Sequence, residues 1–212
     1  MQAQIQDEIQ HHGAWAATRN LKLNVSKTQE IVIYKNKKIA EPTSIHGVNR
    51  VNSIKILGVI VDKYLTFSNH ISETIKSCGQ AFFALKTMKQ HGLSKKALQN
   101  IFCSKILPKL LYASQSWWGF APKSAIDQMG AFLRRARRFG YNGIVDLSIE
   151  DLLQRNDFSL FNSIKSNPQH CLFALLPPIK STTYSLRSKG HDFNLPDKDS
   201  RNFINRSLYC FI

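Results

Sequence analysis

The most distinctive group of side chains that could do chemistry is an arginine run near the middle of the chain. It comprises Arg134, Arg135, Arg137 and Arg138, with Ala136 between the two pairs. Guanidinium groups bind phosphate oxygens through paired hydrogen bonds, so the run predicts contact with a nucleic-acid backbone. The alternative interpretation is a cationic last turn that offsets the dipole at a helix C-terminus. Four arginines are more than this second role requires.

A second group of cations consists of lysines on both sides of one predicted turn between helices: Lys86, Lys89, Lys95 and Lys96. Ammonium groups in this arrangement would bind phosphates, although the same lysines are also typical of a solvated helix surface. Trp117 and Trp118 follow in the sequence and would stack on bases if exposed. Because Tyr112 and Phe120 are close by, the two tryptophans are more typical of a core.

Catalytic chemistry has little support in the sequence. The chain has no Gly-rich phosphate loop, no Gly-x-Ser-x-Gly elbow, no His-Glu-x-x-His motif and no adjacent pair of aspartates. Its adjacent acids, Asp7-Glu8 and Glu150-Asp151, precede or begin predicted helices, where the helix dipole explains them. The four cysteines form no Cys-x-x-Cys pair, which argues against structural zinc. We therefore expect no catalytic residue, metal or cofactor of the chain's own.

The charge of the chain is unevenly distributed. With 29 Lys and Arg against 14 Asp and Glu in 212 residues, the net charge is +15, which excludes an acidic or neutral enzyme surface. Residues 62–140 hold 13 basic and 3 acidic residues, a net +10, against +4 for 1–61 and +1 for 141–212. A basic and helical segment is typical of phosphate-backbone binding; a surface that only confers solubility and an anionic membrane surface are the alternatives.

Composition indicates a folded, unexported protein. Hydrophobic residues make up 43% and charged residues 20%, as in ordinary folded domains. No long uncharged apolar run is present, and Asp7 and Glu8 stand where a signal peptide would need a cationic and then an apolar stretch. We expect an intracellular protein, nuclear or cytoplasmic, that is not secreted and has no membrane partner.

The elements that must position the cations follow from hydrophobic periodicity. Helical spacing over residues 3–19 predicts an amphipathic helix, and strand-like runs follow at 21–25, 27–34, 44–48 and 53–61, with Gly58 as a bulge or close approach. From residue 66 the period becomes helical up to Gly92, and Ser94 caps a second helix that Pro108 should kink or interrupt. A third helix runs from Pro122 to Gly140, and the arginines project from its polar side. Short helices at 148–154 and 158–166 precede a polar, extended tail.

This order of elements predicts an α+β fold. It consists of a small antiparallel sheet with an N-terminal helix, a helical bundle and a loosely structured tail. The corresponding domains are residues 1–64, 65–140 and 141–212.

The sequence resembles reverse transcriptases of non-LTR (LINE-like) retrotransposons, in their late palm, thumb and carboxy-terminal region. The resemblance covers nearly the whole chain and is most specific over residues 15–71. The motifs that carry it are Trp15-Ala16, Asn20-Leu21-Lys22-Leu23-Asn24, Lys27-Thr28, Lys55-Ile56-Leu57-Gly58-Val59, Leu65-Thr66-Phe67 and His70-Ile71, followed by Gly92-Leu93-Ser94, Trp117-Trp118 and Leu175-Leu176-Pro177-Pro178.

The resemblance implies roles for several residues. Lys27 matches the motif whose lysine acts near the departing pyrophosphate, and Leu57, Gly58 and Val59 match the primer-grip turn. The helices after Ser68 would form the thumb that holds the template–primer duplex of RNA or DNA. The family uses Mg²⁺ held by an aspartate pair that this chain lacks. We therefore expect a truncated reverse transcriptase fragment that is inactive on its own and retains binding to nucleic-acid backbones.

Two alternatives remain from the sequence. The apolar faces of residues 71–85 and 98–106 could dock a protein partner, which would make the chain a non-enzymatic interaction module. The chain could also be an unstable gene remnant, because half a palm sheet leaves an unpaired edge.

Overall fold

The structure is a computed structural model, which describes residues 2–33, 41–141, 147–180 and 190–211. The chain divides into two compact units, Met1–Leu65 and Thr66–Ile212, which we describe separately. Both helices and strands are present, which confirms the α+β class. The three predicted domains stay a prediction.

The first unit begins with helix α1, Gln2–Thr18, as predicted. Asn20 then takes a positive φ of 56°, and a 3-10 turn follows at Val25–Lys27. The strand predicted over residues 21–25 is absent from the structure. Its end is curled instead, because the Asn24 side chain and carbonyl both accept hydrogen bonds from the Lys27 N–H, at 3.2 and 3.1 Å.

Two very short strands pair in parallel in the first unit. They are β1, Gln29–Glu30, and β2, Asn49–Arg50. The strand predicted over 27–34 is thus reduced to two residues, with Tyr34 outside the described ranges, and residues 44–48 form a loop and turn. A side-chain ion pair strengthens this small ladder, since the Arg50 guanidinium donates to both oxygens of Glu30, at 2.9 and 3.0 Å.

An antiparallel hairpin completes the first unit. Its strands are β3, Ser53–Ile56, and β4, Val59–Asp62, with Ile56 opposite Val59. Leu57 and Gly58 connect them with φ of 46° and 92°, the pattern of a two-residue type I′ turn. The predicted strand over 53–61 is therefore two strands, and the bulge predicted at Gly58 is wrong. An apolar Leu-Gly pair lacks the usual signature of such a turn.

The second unit begins with helix α2, Ser68–Gln90, which ends at Gly92 with a φ of 85°. The predicted inward face is largely confirmed. Ile71, Cys78, Phe82 and Leu85 are buried, and Ile75 is half-buried. Ser94 caps the next helix, α3, Lys95–Ile101, by accepting a hydrogen bond from the Ala97 N–H, as predicted.

Helix α3 continues through a π turn, Phe102–Ile106, into helix α4, Leu107–Leu110. Of the two outcomes predicted at Pro108, a kink or an interruption, the interruption does not occur, although regular α-helical hydrogen bonding gives way to the π turn just before the proline. The buried side chains here, Leu98, Phe102, Ile106 and Leu110, are spaced by four residues. In a regular α-helix, three such steps would rotate about 120° away from one face. The wider π turn, in which the Leu107 N–H bonds to the Phe102 carbonyl, reduces that drift and directly precedes the proline.

Two longer helices complete the bundle. After the short α5, Ser114–Trp117, come α6, Lys123–Arg138, and α7, Ile149–Ser166. The predicted face of α6 is confirmed, and Pro122 stands at its N-cap. The two short helices predicted at 148–154 and 158–166 are one helix. Asp157, whose polarity broke the apolar pattern, is buried in its middle.

The C-terminal segment packs onto α7. Phe193 forms an isolated bridge with Ile179, and the segment 190–211 ends in helix α8, Phe203–Cys210. A small apolar core forms around Phe161, Phe193 and Leu208. The sequence pattern did not indicate α8 or this packing.

Candidate nucleic-acid interface

Three helix ends meet on one side of the second unit and carry most of the predicted cations. We call Lys86, Lys89, Lys95, Lys96 and Arg135 the basic corner. The first two lie at the end of α2, the next two begin α3, and the last lies in the final turn of α6. Lys86 is half-buried and the other four are exposed.

Specific contacts hold these helix ends together. Phe82 of α2 packs edge-to-face on Phe132 of α6, with ring centroids 5.8 Å apart. The Gln99 side-chain amide donates to the Gly140 carbonyl at 2.9 Å, which ties α3 to the end of α6. Gly140 itself has a φ of 78°, and a Cβ atom there would stand 3.3 Å from Lys95 Cε. Lys95 therefore lies directly against the end of α6.

Aromatic rings support two of the cations. The Lys86 ammonium lies 4.4 Å from the ring centroid of Phe139, and the Arg135 guanidinium lies 5.3 Å from that of Phe82. Phe82 and Phe139 contact each other edge-to-face at 5.4 Å. Burial of the adjacent Tyr141 raises the pKa of its phenol. Lys86 and Arg135 therefore lie against the faces of packed aromatic rings.

The charge of the basic corner is not neutralised by acids nearby in the sequence. Residues 74–126 contain eight lysines and no Asp or Glu. Lys95 and Lys96 also occupy the first turn of α3, where the positive end of the helix dipole disfavours cations by about 0.3–1 kcal/mol each. Helix stability therefore does not explain the presence of these two lysines.

The arginine run points in two directions. Arg135 lies over the rings of Phe82 and Phe132. Arg134 and Arg137 instead line a pocket of about 240 Å³ against the first turn of α7, together with the acids Asp127 and Glu150. Arg138 is exposed in the last turn. The sequence placed Arg134, Arg135 and Arg138 on one polar side, and it could not reveal that α7 covers part of that side.

The residues with roles implied by the resemblance lie in the first unit. Lys27 is exposed at the end of the 3-10 turn. Leu57 is 87% exposed at the tip of the hairpin, and Gly58 follows it in the same turn. Val59 is buried and begins β4.

Trp117 belongs to the core, as the sequence favoured, and Trp118 is half-buried beside it. Trp117 is 1% exposed and donates from Nε1 to the Tyr112 carbonyl at 3.0 Å. Trp118 donates from Nε1 to Asp157 Oδ2, also at 3.0 Å. Neither indole is placed to stack on bases.

A buried ionic cluster was missed by the sequence analysis. Arg206 of α8 donates from Nε to Asp157 Oδ2 at 2.7 Å, and its guanidinium lies 4.3 Å from the Trp118 ring centroid. Both charged side chains are 5% exposed or less. Burial raises the pKa of Asp157, against the opposing effect of the Arg206 and Trp118 hydrogen bonds. The two charges are 49 positions apart, so no local spacing could have indicated the pair.

Other kinds of site find no support in the parts of the chain that the structure describes. Within those ranges, no group of three or more His, Cys, Asp or Glu side chains could hold a metal ion. In the same ranges, no helix has both the length and the apolar composition needed to cross a bilayer.

Two apolar helix faces, at residues 71–85 and 98–106, were predicted as possible docking surfaces for a protein. Most of their apolar side chains are buried within the second unit. Phe82, Leu85, Leu98 and Phe102 are each 3% exposed or less. These apolar side chains pack within the second unit, and a protein partner for the chain stays a prediction.

Comparisons with known proteins give two relatives from Drosophila melanogaster. One, described as "Probable RNA-directed DNA polymerase from transposon BS", is 26% identical over 140 residues, spanning 63% of this chain and 15% of the relative. The other, "Probable RNA-directed DNA polymerase from transposon X-element", is 30% identical over 139 residues with the same two shares.

The chain thus spans about 15% of the length of the curated relatives it matches. No family model matches the chain. No solved structure matches it either. The two matches agree with the family that the sequence motifs indicated. Over the matched segment, the chain is related to transposon-encoded reverse transcriptases.

Proposed function

We propose that the basic corner binds the phosphate backbone of nucleic acid, as the part of a reverse-transcriptase-like protein that holds template and primer. The observation that carries this proposal is the convergence of Lys86, Lys95 and Arg135 from three helices, in a region without neighbouring acids. The names of the two relatives support it, because an RNA-directed DNA polymerase acts on a template and a primer.

The test is the salt dependence of binding to a short labelled RNA–DNA hybrid. Each cation that neutralises a phosphate contributes about 0.9 to the slope of log affinity against log salt. A variant with Lys86, Lys95 and Arg135 changed to Gln should bind more weakly, with a slope that is flatter by about 2–3. Fluorescence anisotropy between about 50 and 200 mM salt measures both quantities.

The matched control changes Lys105, Lys123 and Lys180 to Gln. These lysines are exposed and lie outside the basic corner, and their loss lowers the net charge by the same amount. If binding depends on the basic corner, the control keeps the wild-type slope. Equal losses in both variants would mean that net charge alone attracts the nucleic acid, and would contradict the proposal.

We also infer that this chain does not polymerise nucleotides by itself. Polymerases hold two metal ions about 3.5–4 Å apart with clustered carboxylates. No two aspartates are adjacent in this sequence. Primer extension by the purified chain with added Mg²⁺ should remain at background, and clear nucleotide incorporation would contradict this inference.

A further inference from the structure

Phe139 is the most exposed member of an aromatic cluster in the second unit. It is 39% exposed, whereas its neighbours Phe82, Phe132 and Tyr141 are 3% exposed or less. It follows the last residue of α6, and its ring is held edge-to-face against Phe82 and stacked on Tyr141 at 6.0 Å. Part of the Phe139 ring therefore stays open to contacts from outside this cluster.

A cation lies over the face of the Phe139 ring. The Lys86 ammonium lies 4.4 Å from its centroid, a closer approach than the 5.6 Å to Phe82. Within the described ranges, the ion pairs of the protein do not include Lys86 or Arg135. An aromatic face attracts an ammonium group through its quadrupole without neutralising the charge. A carboxylate in the same place would fix the lysine but cancel its attraction for phosphate.

We propose that Phe139 is a positioning residue, which holds the Lys86 ammonium in the orientation that binds a phosphate while leaving its charge available. This inference rests on the proposed function of the basic corner. Phe139 would thus raise the affinity for nucleic acid through its contact with Lys86, without contacting the nucleic acid itself. Preorganisation of a long, flexible side chain lowers the entropy lost on binding.

The test is a substitution series measured with the RNA–DNA hybrid on the full chain. Phe139→Leu keeps an apolar side chain but removes the aromatic face, so the dissociation constant should rise about twofold to fivefold. The salt slope should stay at the wild-type value, since no cation has been removed. Phe139→Trp, which offers the strongest cation–π face, should bind at least as tightly as the wild type.

A double-mutant cycle separates positioning from a general structural effect. In a Lys86→Gln background, Phe139→Leu should cause no further loss of affinity, because no ammonium remains to be held. The inference is overturned if Phe139→Leu binds like the wild type, or if its loss is as large in the Lys86→Gln background. Failure of the proposed function would be recognised separately: the variant with Lys86, Lys95 and Arg135 changed to Gln would then bind the hybrid no differently from its matched control.

Discussion

At the scale of single residues, Arg206 and Asp157 form a deeply buried ion pair, with side chains that are 5% and 3% exposed. The guanidinium also donates to the carbonyl oxygens of Ser200 and Arg201, at 3.2 and 2.8 Å. Gly119 lies so close that a Cβ atom there would collide with the Arg206 guanidinium and the Arg201 carbonyl. The pair therefore fixes both the path of the C-terminal segment and the residue type at position 119.

Breaking this pair should be costly. Arg206→Met leaves the Asp157 carboxylate buried without its partner, so we expect the free energy of unfolding to fall by about 3–5 kcal/mol. The double variant Arg206→Met with Asp157→Asn should lose less, since the amide is uncharged and can still accept from Trp118. Urea denaturation measures both changes.

The matched control is Arg201→Met, which removes an exposed partner of Asp199. An exposed pair of this kind contributes at most about 1 kcal/mol. If Arg206→Met and Arg201→Met had equal effects, the buried pair would not have the importance that its burial implies.

A second residue-scale prediction concerns pH. The Arg50 hydrogen bonds hold the pKa of Glu30 below its ordinary value of 4.5. Glu30 therefore stabilises the β1–β2 ladder above about pH 4.5, and this contribution is lost as the pH falls through the lowered value. Amide exchange at Val51, whose N–H donates to the Glu30 carbonyl, should accelerate on acidification beyond the intrinsic pH effect.

Glu30→Gln provides the comparison for this pH effect. The amide does not titrate, so its Val51 exchange should show no additional acceleration in the same range. Identical pH profiles for the two proteins would show that the ionised pair does not stabilise the ladder.

At the scale of secondary-structure elements, the helices were predictable and the strands were not. The faces of α2 and α6, the Ser94 cap and the glycines after α2 and α6 all follow from periodicity and local capping chemistry. The strands have two to four residues, too few for an alternation pattern to specify their ends. Helix α7 was predicted as two short helices because Asp157 interrupts its apolar pattern. This aspartate faces inward because Arg206, a partner distant in the sequence, stabilises it there.

The candidate site was partly predictable for the same reason. The cations themselves are visible in the sequence, and so is their separation from acids. Which of them converge depends on tertiary contacts such as Gln99 with Gly140, and these leave no local pattern. The division of the arginine run between Phe82 and the start of α7 also follows only from the packing of three helices.

The β3–β4 hairpin gives an element-scale prediction. Leu57 adopts a φ of 46°, which is unfavourable for a residue with a branched apolar side chain and is well tolerated by Asn. Leu57→Asn should therefore stabilise the hairpin by about 0.5–1 kcal/mol. Slower amide exchange in β3 and β4 would report the gain.

Leu57→Val is the matched control for the hairpin. Its β-branched side chain fits a positive φ less well than leucine, so exchange should become faster. Faster exchange in the Asn variant would contradict the assigned turn type.

At the scale of the whole molecule, the C-terminal segment is part of the second unit rather than an appendage to it. Leu208 is fully buried against Phe161, and His191 bonds through Nε2 to the Leu208 carbonyl at 2.8 Å. A chain that ends at Ser200 should therefore lose protection from amide exchange throughout α7, because Phe161 becomes exposed and Asp157 loses Arg206.

Adding the missing residues back tests the cause of this loss. A synthetic peptide covering 197–211 should restore part of the protection, and the same peptide with Arg206→Met should not. Full protection of α7 in the shortened chain would show that the segment contributes little to the fold.

The π turn at Phe102–Ile106 sets the direction in which the side chains of α3 point relative to those of α4. Deleting one residue there would convert the run to a regular α-helix and rotate its beginning by about 100° relative to α4. Lys95 and Lys96 would then swing away from the end of α6, and Gln99 would no longer reach Gly140. Deletion of a single residue in the π turn would thus separate the cations of the basic corner from one another. The proposed contact of the basic corner with nucleic acid therefore depends on the length of a turn that lies outside the corner itself.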